Sequence, residues 1–188
     1  LKALYNLLLT THYQTNVQDI RRLLDNQEQS ITIATEGERV VGLLWALREG
    51  GQSKELAWAL FRGLRRPKGN LVPQTLSAHG YFLEAMLLKS IRISRISVEY
   101  LRRRGIAGRL IKKLEQAALR MGVDYLSVSF GLTKELLTFW RYYGFVWVHI
   151  GTHRDKSTGL HAAVMIKPLT EAGEQLVKRM EKKWHADV

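Results

Sequence analysis

The stretch that decides the fold spans residues 91–121 and reads IRISRISVEYLRRRGIAGRLIKKLEQAALRM. Its first eight residues alternate as in a β-strand, but the apolar positions change phase at Ile96, which indicates either a β-bulge or burial on both faces. After Gly105 the apolar residues recur at helical spacing for about four turns. They are Ile106, Leu110, Ile111, Leu114, Ala117, Ala118 and Met121. A strand, a short basic loop and a long helix therefore follow one another here.

Outward from this stretch, helical and extended periodicities alternate, without an internal repeat. Before residue 91, the sequence predicts helices at 4–9 and 20–24, a hairpin of strands at 31–35 and 40–47, a helix at 53–64, and a loop at 65–74 followed by a short helix. The strand 91–98 and its long helix come next. After them, the sequence predicts a strand at 125–129, a helix at 133–142, strands at 145–151 and 160–166, and a helix at 170–184. The last helix is predicted to bury Leu176, Val177, Met180 and Trp184. This order predicts a mixed α/β sheet in one domain.

Composition excludes several classes of protein. The chain has 188 residues, 46% hydrophobic and 24% charged, which is typical of one globular domain and not of a collagen-like or disordered chain. The longest apolar run, 40–47, is far shorter than the roughly 20 residues that cross a bilayer, so no membrane partner is expected. The absence of cysteine excludes disulfides, thiolate metal sites and a cysteine acyl-enzyme, and fits a reducing cytoplasm. No metal site is predicted.

The start of the chain is also informative. It begins with Leu1 and carries no secretion signal, so we expect a cytoplasmic fragment of a longer protein.

The formal net charge of +12 favours a polyanionic partner, such as RNA, DNA or a phosphate-bearing ligand. Simple solubility is the alternative. Two clusters of cations are candidates for contact with a nucleic-acid backbone: Arg62, Arg65, Arg66 and Lys68, and Lys178, Arg179, Lys182 and Lys183. Trp45, Tyr81 and Trp147 are candidates to stack on a base, with a place in the core as the alternative for each.

The loop before the long helix has the features of an anion site. It reads Arg102-Arg103-Arg104-Gly105-Ile106-Ala107-Gly108 and joins a strand to a helix N-terminus, where unpaired N–H groups attract anions. Its glycines permit close backbone approach, and its arginines add charge. The sequence has neither the dinucleotide-binding G-x-G-x-x-G pattern nor the P-loop pattern. A turn glycine inside a solvated charge cluster is the alternative.

With Phe139-Trp140-Arg141-Tyr142-Tyr143-Gly144-Phe145 further on, this loop resembles the Q/R-x-x-G-x-G/A loop of the GNAT acetyltransferases. Other blocks are similar to the acetyltransferase domain of the tRNA(Met) cytidine acetyltransferase family: HY at 12–13, DIRR at 19–22, RPKGNLV at 66–72, SAHG at 77–80, RISV at 95–98 and DYLSVSFG at 124–131.

The resemblance implies a single GNAT-like α/β domain over residues 1–169, with a mixed, mostly antiparallel sheet that splays at the acetyl-CoA site and is flanked by helices. Residues 170–188 would then form a C-terminal basic amphipathic helix. In the family an ATP-dependent, helicase-like module precedes this domain.

The resemblance also implies an activity: acetyl transfer from acetyl-CoA to the exocyclic amine of the wobble cytidine of elongator tRNA(Met), which gives N4-acetylcytidine. ATP would serve only the preceding module, and tRNA and acetyl-CoA would be the partners. The implied cofactor-binding residues are Ile96, Ser97 and Val98 along the acetyl group and pantetheine, Arg102, Arg103, Arg104, Gly105, Ile106, Ala107 and Gly108 around the pyrophosphate, and Glu135 nearby.

Without a cysteine or a Gly-x-Ser-x-Gly elbow, the simplest chemistry is direct attack by the amine in a ternary complex. His12 is the first candidate for the catalytic base, and His79, His153 and Glu99 are the others. Many GNAT enzymes have a tyrosine where Trp140 stands, so the thiolate would leave unassisted or with help from Tyr142 or Tyr143. Two rival functions stay open: a GNAT enzyme acting on protein lysines or small amines, and a catalytically weak RNA-binding GNAT module.

Overall fold

The computed structural model describes residues 28–65, 68–80, 82–99 and 105–186. The helices predicted at 4–9 and 20–24 lie outside these ranges, as does the side chain of Trp184.

Six strands and six helices make up the described part of the chain. In order they are β1 (Gln29–Glu36), β2 (Arg39–Gly50), α1 (Lys54–Phe61), α2 (Leu71–Ala78), α3 (Glu84–Leu87), β3 (Lys89–Val98), α4 (Ile106–Arg120), β4 (Tyr125–Gly131), α5 (Lys134–Tyr142), β5 (Val146–Arg154), β6 (His161–Pro168) and α6 (Glu171–Ala186). The strands form one six-stranded sheet in the order β1-β2-β3-β4-β6-β5. The pairs β1–β2, β4–β6 and β5–β6 are antiparallel. The predicted α/β class with a mixed sheet is confirmed.

The chain divides into two compact units. The described residues of the first unit are 28–47, 93–99 and 105–117, and those of the second are 48–65, 68–80, 82–92 and 118–186.

The first unit contains the predicted hairpin. Strands β1 and β2 pair with Ile31 opposite Trp45, and the register shifts at Ala34/Thr35. Residues 41–46 of β2 are fully buried, which explains the unbroken apolar run at this point. Helix α4 lies close to β2 at Gly42, where an added Cβ would stand 2.8 Å from Cγ2 of Ile106. The missing side chain at Gly42 thus lets the helix pack on the hairpin.

Helix α4 has the predicted apolar stripe, since Ile106, Leu110, Ile111, Leu114 and Ala118 are all buried. The prediction is wrong for its last member, Met121, which follows the end of the helix and is 41% exposed. Gly122 ends the helix in the left-handed conformation with φ 66°.

The second unit has its own core. Leu176, Val177 and Met180 of α6 pack with buried residues of β4, β5 and β6, so the buried face predicted for this helix is confirmed. The phenol of Tyr125 lies in the same cluster and donates to the carbonyl oxygen of Ala85 at 2.8 Å. Burial raises the pKa of this phenol.

The loop predicted at 65–74 is wrong in its second half, because α2 begins at Leu71. Pro73 falls in the first turn of this helix, where a residue without an N–H is tolerated. The carboxylate of Glu49 accepts from the backbone N–H of Leu71 at 3.0 Å and of Val72 at 3.2 Å. A side chain 22 residues earlier in the chain therefore caps the helix.

The apolar phase change at Ile96 does not move the buried face of β3. Ile91, Ile93 and Ser97 are buried, whereas Ile96 and Val98 are half-buried on the other face. Burial on both faces occurs only at the start of the strand, where Ser90 is buried beside Ile91. Among the described residues, no helix is long and apolar enough to cross a membrane.

Candidate functional site

The site begins on β3. Ile96 and Val98 are half-buried and lie on one face of the strand, because alternate residues of a strand share a face. Ser97 points to the other face and is only 3% exposed. Ile96 and Val98 are therefore the residues of this segment that offer partly open apolar surface to a ligand.

The predicted anion site lies at the start of α4, of which the structure describes Gly105 and the helix itself. Gly105 has a φ of 73°, a conformation that favours glycine, and the N–H of Arg109 donates to its carbonyl oxygen at 3.1 Å. The N–H groups of the first helical turn precede this bond and have no carbonyl partner in the helix. A Cβ built on Gly105 would meet no described residue within 4 Å. Arg102, Arg103 and Arg104 lie outside the described residues.

Glu99 lies directly after β3 and is held in place. Its backbone N–H donates to the carbonyl oxygen of Val41 at 2.9 Å, and its Oε1 is paired with the guanidinium of Arg39. Its Oε2 is buried and has no hydrogen-bond partner among the described residues. A carboxylate oxygen that is shielded from water and has no donor is a plausible proton acceptor.

A cleft of about 220 Å³ lies beside the first two turns of α4. Arg109 and Lys113 contribute positive charge to it, and Glu36 contributes negative charge. The remaining lining residues come from both strands of the hairpin and from α4: Ile33, Ala34, Thr35, Val41, Ile106 and Leu110.

Two further predicted groups lie in the second unit. Glu135 is exposed in the first turn of α5, just after Thr133, whose hydroxyl caps the helix by accepting from the N–H of Leu136 at 3.3 Å. Trp140 is 5% exposed and packs edge-on against Phe145, with ring centroids 5.0 Å apart. Trp140 is thus a core residue.

The two tyrosines beside Trp140 differ in exposure. Tyr142 is 82% exposed, whereas Tyr143 is half-buried and packs edge-on against Phe139 at 5.0 Å.

The candidate histidines fall into different environments. His79 stacks on His149, with ring centroids 6.3 Å apart and an interplanar angle of 19°. Burial, followed by the charge of His79, lowers the pKa of His149, so this imidazole is neutral at pH 7. His153 is exposed and hydrogen-bonded to Thr152 at 3.0 Å. His12 lies outside the described residues.

The cations proposed for RNA contact differ in their exposure and in their contacts within the protein. Arg62, Arg65, Lys68, Lys178, Arg179 and Lys182 are exposed, and Arg66 lies outside the described residues. Arg179 pairs with Glu84 at 2.7 Å. Lys183 is half-buried, donates to the carbonyl oxygen of Gly80 at 3.0 Å and stands 5.6 Å above the ring of Phe82. Arg179 and Lys183 are therefore engaged within the second unit, which the sequence did not indicate.

The aromatic residues proposed for base stacking are less exposed than that role needs. Trp45 is 8% exposed, and its indole N–H donates to Gln29 at 3.1 Å, so the core alternative is confirmed for it. Trp147 is half-buried and donates to the carbonyl oxygen of His149 at 3.0 Å, while Tyr81 lies outside the described residues. Trp58, which was not among the candidates predicted from the sequence, is 49% exposed on α1. Its position next to Ala57, off the buried stripe of that helix, is the signal that identifies it.

Comparison with known proteins gives a family match for part of the chain and a shared fold. The family described as GNAT acetyltransferase 2 matches residues 99–170, which include Glu99, Gly105 and α4. A polyamine N-acetyltransferase of Drosophila melanogaster superposes with a TM-score of 0.62 at 15% identity, covering 89% of this chain and 94% of that one. A GNAT family acetyltransferase from Elizabethkingia anophelis, solved with acetyl-CoA bound, superposes with a TM-score of 0.55 at 15% identity, covering 88% and 90%.

The superposed structures show that this chain has the fold of the GNAT acetyltransferases, and the family model matches residues 99–170. In sequence the chain is similar to the tRNA(Met) cytidine acetyltransferases. It is 44% identical to the protein of that name from Actinobacillus pleuropneumoniae over 98% of this chain, and 43% identical to that of Salmonella typhimurium over 99%. The chain spans only 32% and 28% of the length of these two relatives.

Proposed function

We propose that this domain transfers an acetyl group from acetyl-CoA to the exocyclic N4 amine of the wobble cytidine of elongator tRNA(Met). The observation that carries the proposal is the similarity of nearly the whole chain to proteins named tRNA(Met) cytidine acetyltransferase, at 44% identity. The GNAT fold supports the acetyl-transfer half of the proposal, and the +12 charge supports an RNA acceptor.

The residues present fit acetyl-CoA as the acetyl donor. The N–H groups of the first turn of α4, which have no carbonyl partner within the helix, suit a pyrophosphate, and no described residue lies within 4 Å of a Cβ built on Gly105. Arg102, Arg103 and Arg104 would add charge. The half-buried face of Ile96 and Val98 would line the pantetheine. When bound, acetyl-CoA supplies the acetyl group as a thioester. Glu135, exposed on α5, stays a weaker candidate for contact with the donor.

The proposed reaction is a single displacement. The lone pair of N4 forms a bond to the thioester carbonyl carbon, the carbon–sulfur bond breaks, and coenzyme A leaves as a thiolate. One proton leaves N4 for a base on the protein and finally balances the charge of the thiolate. A cytosine amine is neutral at pH 7, so the base is needed only as the new bond forms.

Two side chains are candidates for that base. His12 stands in the His-Tyr block that resembles the family. Among the described residues, Glu99 is the better placed carboxylate, because it directly follows the donor-binding strand and has one buried oxygen without a hydrogen-bond donor.

The test is nucleoside mass spectrometry of elongator tRNA(Met) incubated with acetyl-CoA and the protein that contains this domain, with ATP. ATP is included because the larger part of the relatives lies outside this chain. N4-acetylcytidine should appear in this tRNA and not in the same tRNA carrying uridine at the wobble position. Acetylation of a lysine peptide or a polyamine, with none of tRNA, would contradict the proposal and favour the rival acceptors.

A further inference from the structure

Helix α1 displays an aromatic side chain that the core does not use. Its inner face buries Ala57 and Leu60 against Met86, while Trp58 on the outer side is 49% exposed. By contrast, Trp45 and Trp140 are at most 8% exposed. A solvent-exposed indole leaves a large apolar surface in water, which costs free energy unless a ligand covers it.

The indole is also held in a defined environment. The guanidinium of Arg62, one turn later, stands 5.9 Å from its centroid, a cation–π contact. Phe61 packs edge-on against it, with centroids 5.7 Å apart and an interplanar angle of 86°. The ring is therefore partly preorganised, so less side-chain entropy is lost when a ligand stacks on it.

The segment that follows Trp58 is rich in cations. Arg62 contacts the indole, and Arg65 and Lys68, a few residues further along the chain, are exposed. The acidic residue of the helix is Glu55, whose pKa is lowered by hydrogen bonds from its own backbone N–H and from Ser53. Exposed cations thus outnumber carboxylates along this segment, which suits an anionic ligand with a flat apolar group.

We propose that Trp58 and Arg62 form a stacking site for an unpaired base of single-stranded RNA, with Arg65 and Lys68 contacting the adjacent phosphates. Single-stranded RNA combines accessible base faces with regularly spaced negative charge, which is the pairing this surface requires. An acidic peptide would satisfy the cations but leave the indole without a flat partner. The inference rests on the proposed RNA acceptor and adds to it a specific contact outside the acetyl-transfer site.

The experiment measures the affinity of the 188-residue chain for two fluorescein-labelled probes by anisotropy: a single-stranded oligocytidylate of about 12 nucleotides and a blunt RNA duplex of similar length. Trp58→Leu should weaken binding of the single strand about 5- to 100-fold, because it removes the π face but keeps apolar bulk. Trp58→Phe, which keeps a π face, should retain most of the affinity. Duplex binding should change by less than about 2-fold in both variants, because paired bases expose no face to stack on.

Matched controls separate the local site from general effects. Leu119→Ala removes a side chain that is 52% exposed on another helix, and Lys112→Ala removes an exposed cation there; neither should alter the preference for the single strand. Arg65→Ala, which removes one of the proposed phosphate contacts, should weaken single-strand binding and reduce the slope of log affinity against log salt by about 0.7.

The inference is overturned if Trp58→Leu binds the single strand as tightly as the wild type. That outcome would favour a protein partner as the ligand of the exposed indole. Equal weakening for single strand and duplex would also overturn it. Acetyl-CoA affinity, measured by calorimetry on the same variants, should stay unchanged. If Trp58→Leu leaves RNA binding unchanged but the wild-type protein acetylates tRNA, only the stacking site is wrong and the proposed function stands. If the wild-type protein binds RNA through Trp58 but acetylates no tRNA, only the proposed function is overturned.

Discussion

Gly105 is the residue on which the proposed donor site depends most directly. It precedes the first turn of α4, and no described residue lies within 4 Å of a Cβ built on it, which would leave a phosphate space to approach the backbone N–H groups. Gly105→Glu places a bulky anion in that space. We expect acetyl-CoA binding to be abolished in calorimetry, because the carboxylate occupies the anion site and repels the pyrophosphate.

Gly122 offers a matched control for this substitution. It also has a positive φ, 66°, and no described residue within 4 Å of a built Cβ, but it stands at the other end of α4. Gly122→Glu therefore imposes similar backbone strain without an anion at the helix N-terminus. A folded Gly105→Glu protein that binds acetyl-CoA with the affinity of the Gly122→Glu control would contradict the assignment.

The stacked pair His79 and His149 predicts a pH dependence of stability. Burial and the neighbouring imidazole lower the pKa of His149 below its ordinary value of 6.5. Between that lowered pKa and 6.5, the unfolded chain binds a proton that the folded chain does not, so the free energy of unfolding falls as the pH drops through this window. Above 6.5 the contribution is complete.

Urea unfolding on both sides of this window measures the effect. The loss of stability on acidification should be smaller in His149→Gln, which cannot take up the proton, and His79→Gln should raise the pKa of His149 towards its ordinary value. An NMR titration that finds His149 protonating at or above pH 6.5 would contradict this account.

The role of catalytic base predicted for His12 depends on the resemblance alone. If it accepts the proton from N4, His12→Ala should lower the acetylation rate about 100-fold or more and leave acetyl-CoA affinity intact. Single-turnover rates and calorimetry on the same protein measure the two quantities. Loss of activity in proportion to loss of thermal stability would instead indicate a packing role and leave Glu99 as the candidate base.

Among the secondary-structure elements, α2 is held by an ion pair that the local sequence does not reveal. Glu49 of β2 is 6% exposed, and it accepts from Arg92 of β3 at 2.8 Å and from two N–H groups at the start of α2. Its neighbour Gly50 donates to Asn70 at 2.7 Å. The N-terminus of α2 is thus capped from a strand, since Asn70 makes no side-chain cap of its own.

Glu49→Ala should lower the free energy of unfolding by about 3 to 5 kcal/mol, because it leaves the guanidinium of Arg92 buried without its counter-ion. Glu49→Gln should cost less, since an amide oxygen can still accept from the N–H groups of α2. The exposed pair of Arg179 and Glu84 serves as the control, and Glu84→Ala should cost only about 0 to 1 kcal/mol. Equal effects of Glu49→Ala and Glu84→Ala in urea unfolding would refute the capping role.

For the whole molecule, the net charge of +12 predicts RNA binding that weakens steeply with salt. Lys178 and Lys182 are exposed on α6, whereas Lys183 is engaged with Gly80 and Phe82. Lys178→Ala and Lys182→Ala should each reduce the slope of log affinity against log salt by about 0.7 for single-stranded RNA. Lys183→Ala should mainly lower the melting temperature. A larger change of slope for Lys183→Ala than for Lys182→Ala would show that the internal contacts do not hold Lys183 in solution.

The amino-acid sequence alone determined the order of the strands and helices over the described residues, and it predicted the loop before α4 as an anion site. The strand before Gly105, the buried stripe of α4 and the β1–β2 hairpin are encoded by residues that are neighbours along the chain, so periodicity and glycine placement reveal them. The burial of Leu176, Val177 and Met180 followed from the same local rule. Blocks of residues that resemble the family added the acetyltransferase class.

Only the tertiary structure determined where α2 begins, which tryptophan is exposed to solvent, and which lysine of α6 is exposed and which contacts other residues of the protein. Leu71 starts a helix because Glu49, distant in sequence, accepts its N–H. Trp58 is exposed because α1 turns Ala57 and Leu60 inward, and Lys183 differs from Lys182 because it reaches Gly80, 103 residues away. Each of these depends on contacts between residues that are far apart in the chain, and such contacts leave no periodic signal in the sequence.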